Sequence, residues 1–144
     1  MRLVIDTDAM VAAIRSDAGA SHWLLQSVLE RRLGLTLLVS VSLLIEYEAV
    51  MTRPEHLKAA RLSAADIGPL LDAVAAVAEP VRLAYLWRPM LSDANDDMVL
   101  ETAVNGGAFG IVTFNRRDFE ASVGQFGIRA LSPGEAVRLL EKRP

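Results

Sequence analysis

Short segments that are apolar at almost every position, separated by stretches with helical spacing, constrain this chain more than any other feature of its sequence. Leu3-Val4-Ile5, Leu35 to Val39 and Gly110 to Thr113 lack the apolar–polar alternation of a strand with one wet face. Strands apolar throughout are expected where helices cover both faces of a parallel sheet. Helical segments lie between them. Ala20 to Leu33 places Trp23, Leu24, Val28 and Leu29 near helical spacing, with Gly34 as a stop. Ser40 or Ser42 can cap a helix through Met51, which Pro54 prevents from running on. Ser63 with Asp66 three residues later forms a capping box for a helix to about Glu79, across Gly68-Pro69. Val81 to Ala84 reads as a weak strand, Asp96 to Val104 as a helix ended by Gly106-Gly107, and Ile128 to Leu131 as a further strand. Ser132-Pro133-Gly134-Glu135 then opens the last helix, with Ser as cap, Pro at the first position and Glu three residues on. This alternation predicts an α/β fold, a three-layer α/β/α arrangement around a central, mostly parallel sheet.

With 144 residues, 52% of them hydrophobic, the chain can bury one substantial core, and no Pro-, Gly- or Ser-rich linker divides it. A single domain over residues 1–144 is expected. The absence of cysteine excludes disulfides and thiolate zinc sites, and two histidines, His22 and His56, are too few for an imidazole cluster. Asp6 interrupts the first apolar run, and Leu35 to Ile45 falls short of the ~20 residues of a membrane span. A soluble, cytoplasmic protein without membrane association is therefore expected.

Acidic residues fall where the apolar segments end. Asp6 follows the first strand, Glu46 sits in an apolar helix, Asp93-Ala94-Asn95-Asp96-Asp97 opens another, and Asp118 lies beyond Ile111-Val112-Thr113. A parallel sheet binds ligands outside the carboxyl ends of its strands, which is where Asp6 and Thr113 to Asn115 should lie. Each acid also has a plainer use. Asp6, with Thr7 and Asp8, suits a turn or cap; Glu46 and its neighbour Glu48 suit a solvated helix face. Asp93 and Asp96 have the spacing of a helix cap and its partner, and Asp118 can pair with Arg116 or Arg117. Gathered together, however, such carboxylates cannot all remain ionised without a positive charge between them. Oxygen donors alone select a hard cation, Mg²⁺ or Mn²⁺, which can acidify a water and neutralise a phosphodiester. The formal charge of −3 argues against a nucleic-acid partner by its sum, yet Arg53, Arg88, Arg116 and Arg117 lie near the acidic positions in sequence. Arginine is suited to bidentate phosphate recognition, so a basic rim around an acidic centre is a candidate arrangement.

The residues Leu3-Val4-Ile5-Asp6-Thr7-Asp8, the helix Ser40 through Val50 with Glu46, the run Asp93 to Asp97 continuing through Leu100-Glu101 and Ala103, the strand Ile111 to Asn115, and Leu131 to Glu135 occur in an order and spacing that resembles the PIN-domain ribonucleases. The likeness is greatest to the toxin branch of bacterial toxin–antitoxin pairs, and it spans nearly the whole chain. It implies a metal-dependent endoribonuclease with Asp6, Glu46 and Asp97 as catalytic and metal-binding acids. Asp96, Asn115 and Asp118 are further candidate ligands. It also implies Mg²⁺ or Mn²⁺ as cofactor, an RNA substrate, a cognate antitoxin and a homodimer. Two residues depart from the pattern: Asn115 stands where many relatives have Asp, and Asp8 where Asn or Ser is common. Two rival readings share the same residues. A phosphatase of the haloacid-dehalogenase type would use Asp6 as nucleophile in Asp6-Thr7-Asp8 and needs a lysine, for which the chain offers Lys58 and Lys142 alone. A non-catalytic PIN-like binding module would need no metal.

Overall fold

The structure, a computed structural model, describes residues 1–84, 94–124 and 126–142, and at 94–96, 121 and 122 the backbone alone. Its sheet has five parallel strands: β1 (Arg2–Ile5), β2 (Thr36–Val39), β3 (Glu79–Pro80), β4 (Gly110–Val112) and β5 (Arg129–Leu131), in the order β3-β2-β1-β4-β5. Around it lie α1 (Thr7–Arg15), α2 (Ala20–Leu29), α3 (Val41–Met51), α4 (Pro54–Ala60), α5 (Ala64–Val77), α6 (Ala94–Gly106), α7 (Arg116–Gly124) and α8 (Pro133–Glu141). The three-layer α/β/α fold expected from the apolar strands is therefore present. Leu3, Val4, Leu37, Leu38, Ile111 and Val112 are all buried, as strands covered on both faces require. Among the described residues, no helix is long and apolar enough to cross a membrane.

The strand order fixes where a ligand can sit. From β1 the chain builds outward on one side through β2 to β3, then returns to the other side of β1 for β4 and β5. The reversal leaves a crevice at the carboxyl ends of β1 and β4. Register there is tight: Ile5 lies opposite Val112, and the Asp6 amide donates to the Val112 carbonyl at 2.8 Å. Gly110 permits this packing, because a Cβ there would sit 3.0 Å from both the Arg129 carbonyl oxygen and Leu131 Cδ1.

Several sequence expectations need correction. Of the turn and the helix cap left open at Asp6, the cap is present, and a helix absent from the sequence reading follows it: α1, whose buried Ala9, Met10, Val11 and Ala13 pack inward. The helix expected over Ala20 to Leu33 ends at Leu29: Arg31 takes a left-handed conformation (φ 55°), its amide bonding Val28 and the Arg32 amide bonding Ser27, a Schellman stop four residues short of the expected end. The weak strand is displaced from Val81–Ala84 to Glu79–Pro80, because it is the carboxyl half of β2 that pairs there, Leu38 with Glu79 and Val39 with Pro80. Proline is tolerated because β3 is an edge strand. The Ser63–Asp66 capping box forms, and α5 runs through Gly68-Pro69 to Val77.

Candidate active site at the carboxyl edge of the sheet

Asp6 occupies the end of the central strand and caps α1. Its Oδ1 accepts the Thr7 amide at 2.8 Å, so the plain capping role is filled, while Oδ2 accepts the Thr113 hydroxyl at 2.7 Å. Thr113 is fully buried at the end of β4, and its Oγ1 in turn accepts the Asn115 amide at 2.9 Å. A carboxylate buried like Asp6 is costly unless donors surround it, and the start of α1 and the end of β4 supply them.

Asp8, in the first turn of α1, leans on the same loop. Its Oδ2 accepts the Phe114 amide at 3.2 Å and the Asn115 side-chain nitrogen at 3.1 Å. Burial, and then the negative charge of the adjoining Asp6, push the Asp8 carboxyl up to about 7. Two carboxylates are thus held against each other by backbone and side-chain donors of residues 113–115. In sequence Asp8 stands only as a departure from the family pattern and as part of the rival Asp6-Thr7-Asp8 reading, and Thr113 has no role. The signal for Asp8 was present in its i, i+2 proximity to Asp6, but its partners lie 106 and 107 residues away.

Glu46 is partly buried on α3, beside Tyr47. The fully buried Tyr47 hydroxyl donates to the Ile5 carbonyl and so fastens α3 to the end of β1. Burial and then the charge of Asp6 hold that phenol well above its ordinary range, so the tyrosine stays a neutral donor. At the start of α3, Ser40 accepts the Leu43 amide at 3.2 Å and lies 2.8 Å from Thr102 Oγ1. Since Thr102 spends its proton on the Met98 carbonyl, Ser40 is the donor of that pair and ties α3 to α6.

On α6, Asp97 is 2% exposed and Glu101, one turn further, is 0% exposed. At the other end of the helix the Arg2 guanidinium donates to the Gly106 carbonyl, so the carboxyl end of α6 meets the beginning of β1. Along its length α6 packs against β1, β2 and β4. Glu101 is a buried acid that the sequence reading passed over. Its i, i+4 relation to Asp97 was the available signal. Asp93 and Arg88 lie outside the described residues, as does the side chain of Asp96. Among the described residues, no three acidic or histidine side chains are gathered as a ready metal site.

The rim is defined in part. Asn115, Arg116, Arg117 and Asp118 are exposed and, with Phe114 and Glu120, line a depression of about 450 Å³ at the end of β4. Asp118 lies in the first turn of α7, its amide bonded to the Asn115 carbonyl. Arg116 pairs at 2.6 Å with Glu135, the glutamate of the α8 capping box. Arg53, exposed, occupies the cap of α4, which packs on α1.

An α/β sheet whose central strand delivers a buried acid to the switch-point crevice, with a second acid crowded against it, defines a class of domain suited to binding cations or phosphoryl groups. The PIN domain matches residues 2–117, and the chain belongs to the PIN-domain family. PIN domains are typically nucleases that use divalent metals and act on nucleic acid. No curated protein matches the chain.

Proposed function

We propose that this PIN domain is a metal-dependent endoribonuclease, the toxin of a type II toxin–antitoxin pair, cutting RNA to leave 5′-phosphate and 3′-hydroxyl ends. The observation that carries the reading is the crowded Asp6–Asp8 pair, pinned at the switch point with Asp8 raised to about 7. An all-oxygen donor set under mutual repulsion fits a hard dication, Mg²⁺ or Mn²⁺, and disfavours softer ions. When bound, such an ion supplies an acidified water and neutralises charge on the phosphodiester.

The protein's own groups do the rest. Asp6, with its two oxygens oriented by Thr7 and Thr113, would present its carboxylate to the ion. Glu46 and Asp97 supply the second and third carboxylates, and Asp96, Asn115 and Asp118 are further donors at the margin. Arg53, Arg88, Arg116 and Arg117 hold the phosphates that flank the cut. A cognate antitoxin laying a basic or apolar segment across the acidic crevice would shut it. Val41 and Ile45, exposed apolar residues of α3, support association of two copies, and the cytoplasm is the expected compartment. The phosphatase alternative loses its lysine, since Lys58 is exposed on α4 and Lys142 follows α8.

RNA cleavage in Mn²⁺ by wild type and by Asp6→Asn and Asp97→Asn variants tests the assignment. Each variant is expected to lose at least ~100-fold of the rate, the scale of removing one essential electrostatic partner in a reaction site. Wild-type rates in both variants would sink it. Growth arrest relieved by a neighbouring gene product tests the toxin role, and equal arrest with and without that product would refute the pairing.

A further inference from the structure

A second cavity reaches Phe114, whose amide bonds Asp8. It has a volume of about 340 Å³, within the range of pockets that take small organic groups (~300–1,000 Å³), and lies between the end of α1, the start of α2 and the start of α8. Ala12, Ala20 and Pro133 give it apolar walls, Gly19 leaves room, and no lining residue carries a charge. Phe114, 57% exposed, lines both this cavity and the depression at the end of β4, and its amide serves Asp8. Ser21 also lines it. That residue is 6% exposed, and its hydroxyl is buried without a hydrogen-bond partner among the described residues, an unmet polar group of the kind that a ligand satisfies.

We propose that this pocket receives a nucleobase of the RNA strand beside the scissile phosphate, stacked on Phe114 and hydrogen-bonded along one edge by Ser21. The inference rests on the ribonuclease reading and adds to it a determinant of where the strand is cut. An aromatic face accepts any base, whereas a single hydroxyl, able to donate or accept, prefers some base edges to others. The expected selectivity is therefore mild and confined to one nucleotide.

The test uses the full chain with single-stranded RNA oligonucleotides carrying an abasic site at each position in turn. Affinity is measured with Ca²⁺ in place of Mn²⁺ to keep the strand intact, and cleavage is mapped separately with Mn²⁺. Base removal at one position adjoining the cut should weaken binding about tenfold, within the range of base–aromatic stacking. Phe114→Ala should weaken binding of intact RNA by a similar factor and abolish the effect of the abasic site. Ser21→Ala should change the preferred base there by about threefold, the scale of one neutral hydrogen bond. Gly19→Leu, at a position with φ −87° where an added Cβ meets nothing nearer than Ser16 Oγ at 3.7 Å, should fill the cavity and mimic Phe114→Ala. RNA bound and cut with no position sensitive to base removal would overturn the base pocket alone and leave it to an apolar side chain of a protein partner. RNA neither bound nor cut by wild type would remove the ribonuclease reading and the pocket with it.

Discussion

At the scale of single residues, the threonine between two strands decides how the central acid is held. Thr113→Val keeps the shape but removes the donor to Asp6 Oδ2 and the acceptor of the Asn115 amide. Losing a hydrogen bond to a buried charged group costs about 1–3 kcal/mol. RNA cleavage should fall by roughly 5- to 100-fold while the far-ultraviolet circular dichroism stays native, and an unchanged rate would show that Asp6 needs no orienting. Asp8 gives a pH signature. Its folded pKa, about 7, lies above the ordinary 3.8, so its contribution to stability is complete below 3.8 and is lost as pH rises through 7. Glu135 is shifted the other way by the Ser132 amide, so its contribution is lost only as pH falls below the ordinary carboxylate range. In EDTA, wild type should therefore melt at progressively higher temperature, relative to Asp8→Asn, as pH is lowered from 8 to 5. Parallel melting curves for the two proteins across that range would contradict the crowding of Asp6 and Asp8.

At the scale of elements, legibility followed how local each signal was. Apolar strands, the capping boxes of α5 and α8, and the delivery of Asp6 to a carboxyl edge could be read because each depends on neighbours in sequence. The first helix was missed because Asp-Thr-Asp serves a turn and a helix cap equally well, and the choice was made by burial of Met10 and Val11. Tyr47 gave no sign of its role, since a tyrosine in an apolar helix looks like core until its hydroxyl finds the Ile5 carbonyl 42 residues away. The end of α2 was misplaced because an arginine, not a glycine, takes the left-handed position. That choice carries strain: a non-glycine residue there costs about 1–2 kcal/mol, partly offset by the greater freedom glycine has when unfolded. Arg31→Gly should accordingly raise stability by about 0.5–1 kcal/mol in chemical denaturation, and a destabilised variant would mean that the exposed arginine makes a compensating contact.

For the whole molecule, a formal charge of −3 sets the terms of the proposed RNA binding. Association must rely on local cations, so affinity should fall linearly with the logarithm of salt concentration. Arg117→Ala should reduce that slope by about one contact, whereas Arg116→Ala should reduce it less, because Arg116 is already paired with Glu135. A flat salt response in wild type would dismiss the basic rim. The parallel order of the strands has one more effect, in time instead of space. The bond between Thr113 and Asp6 joins residues 107 positions apart, and β1 lacks its β4 neighbour until that later strand exists. At ~5–20 residues per second of synthesis, Asp6 is made ~5–20 s before its partner. On the ribonuclease function proposed above, a nascent chain would carry no oriented Asp6, and so no cleaving site, until residue 113 has been made.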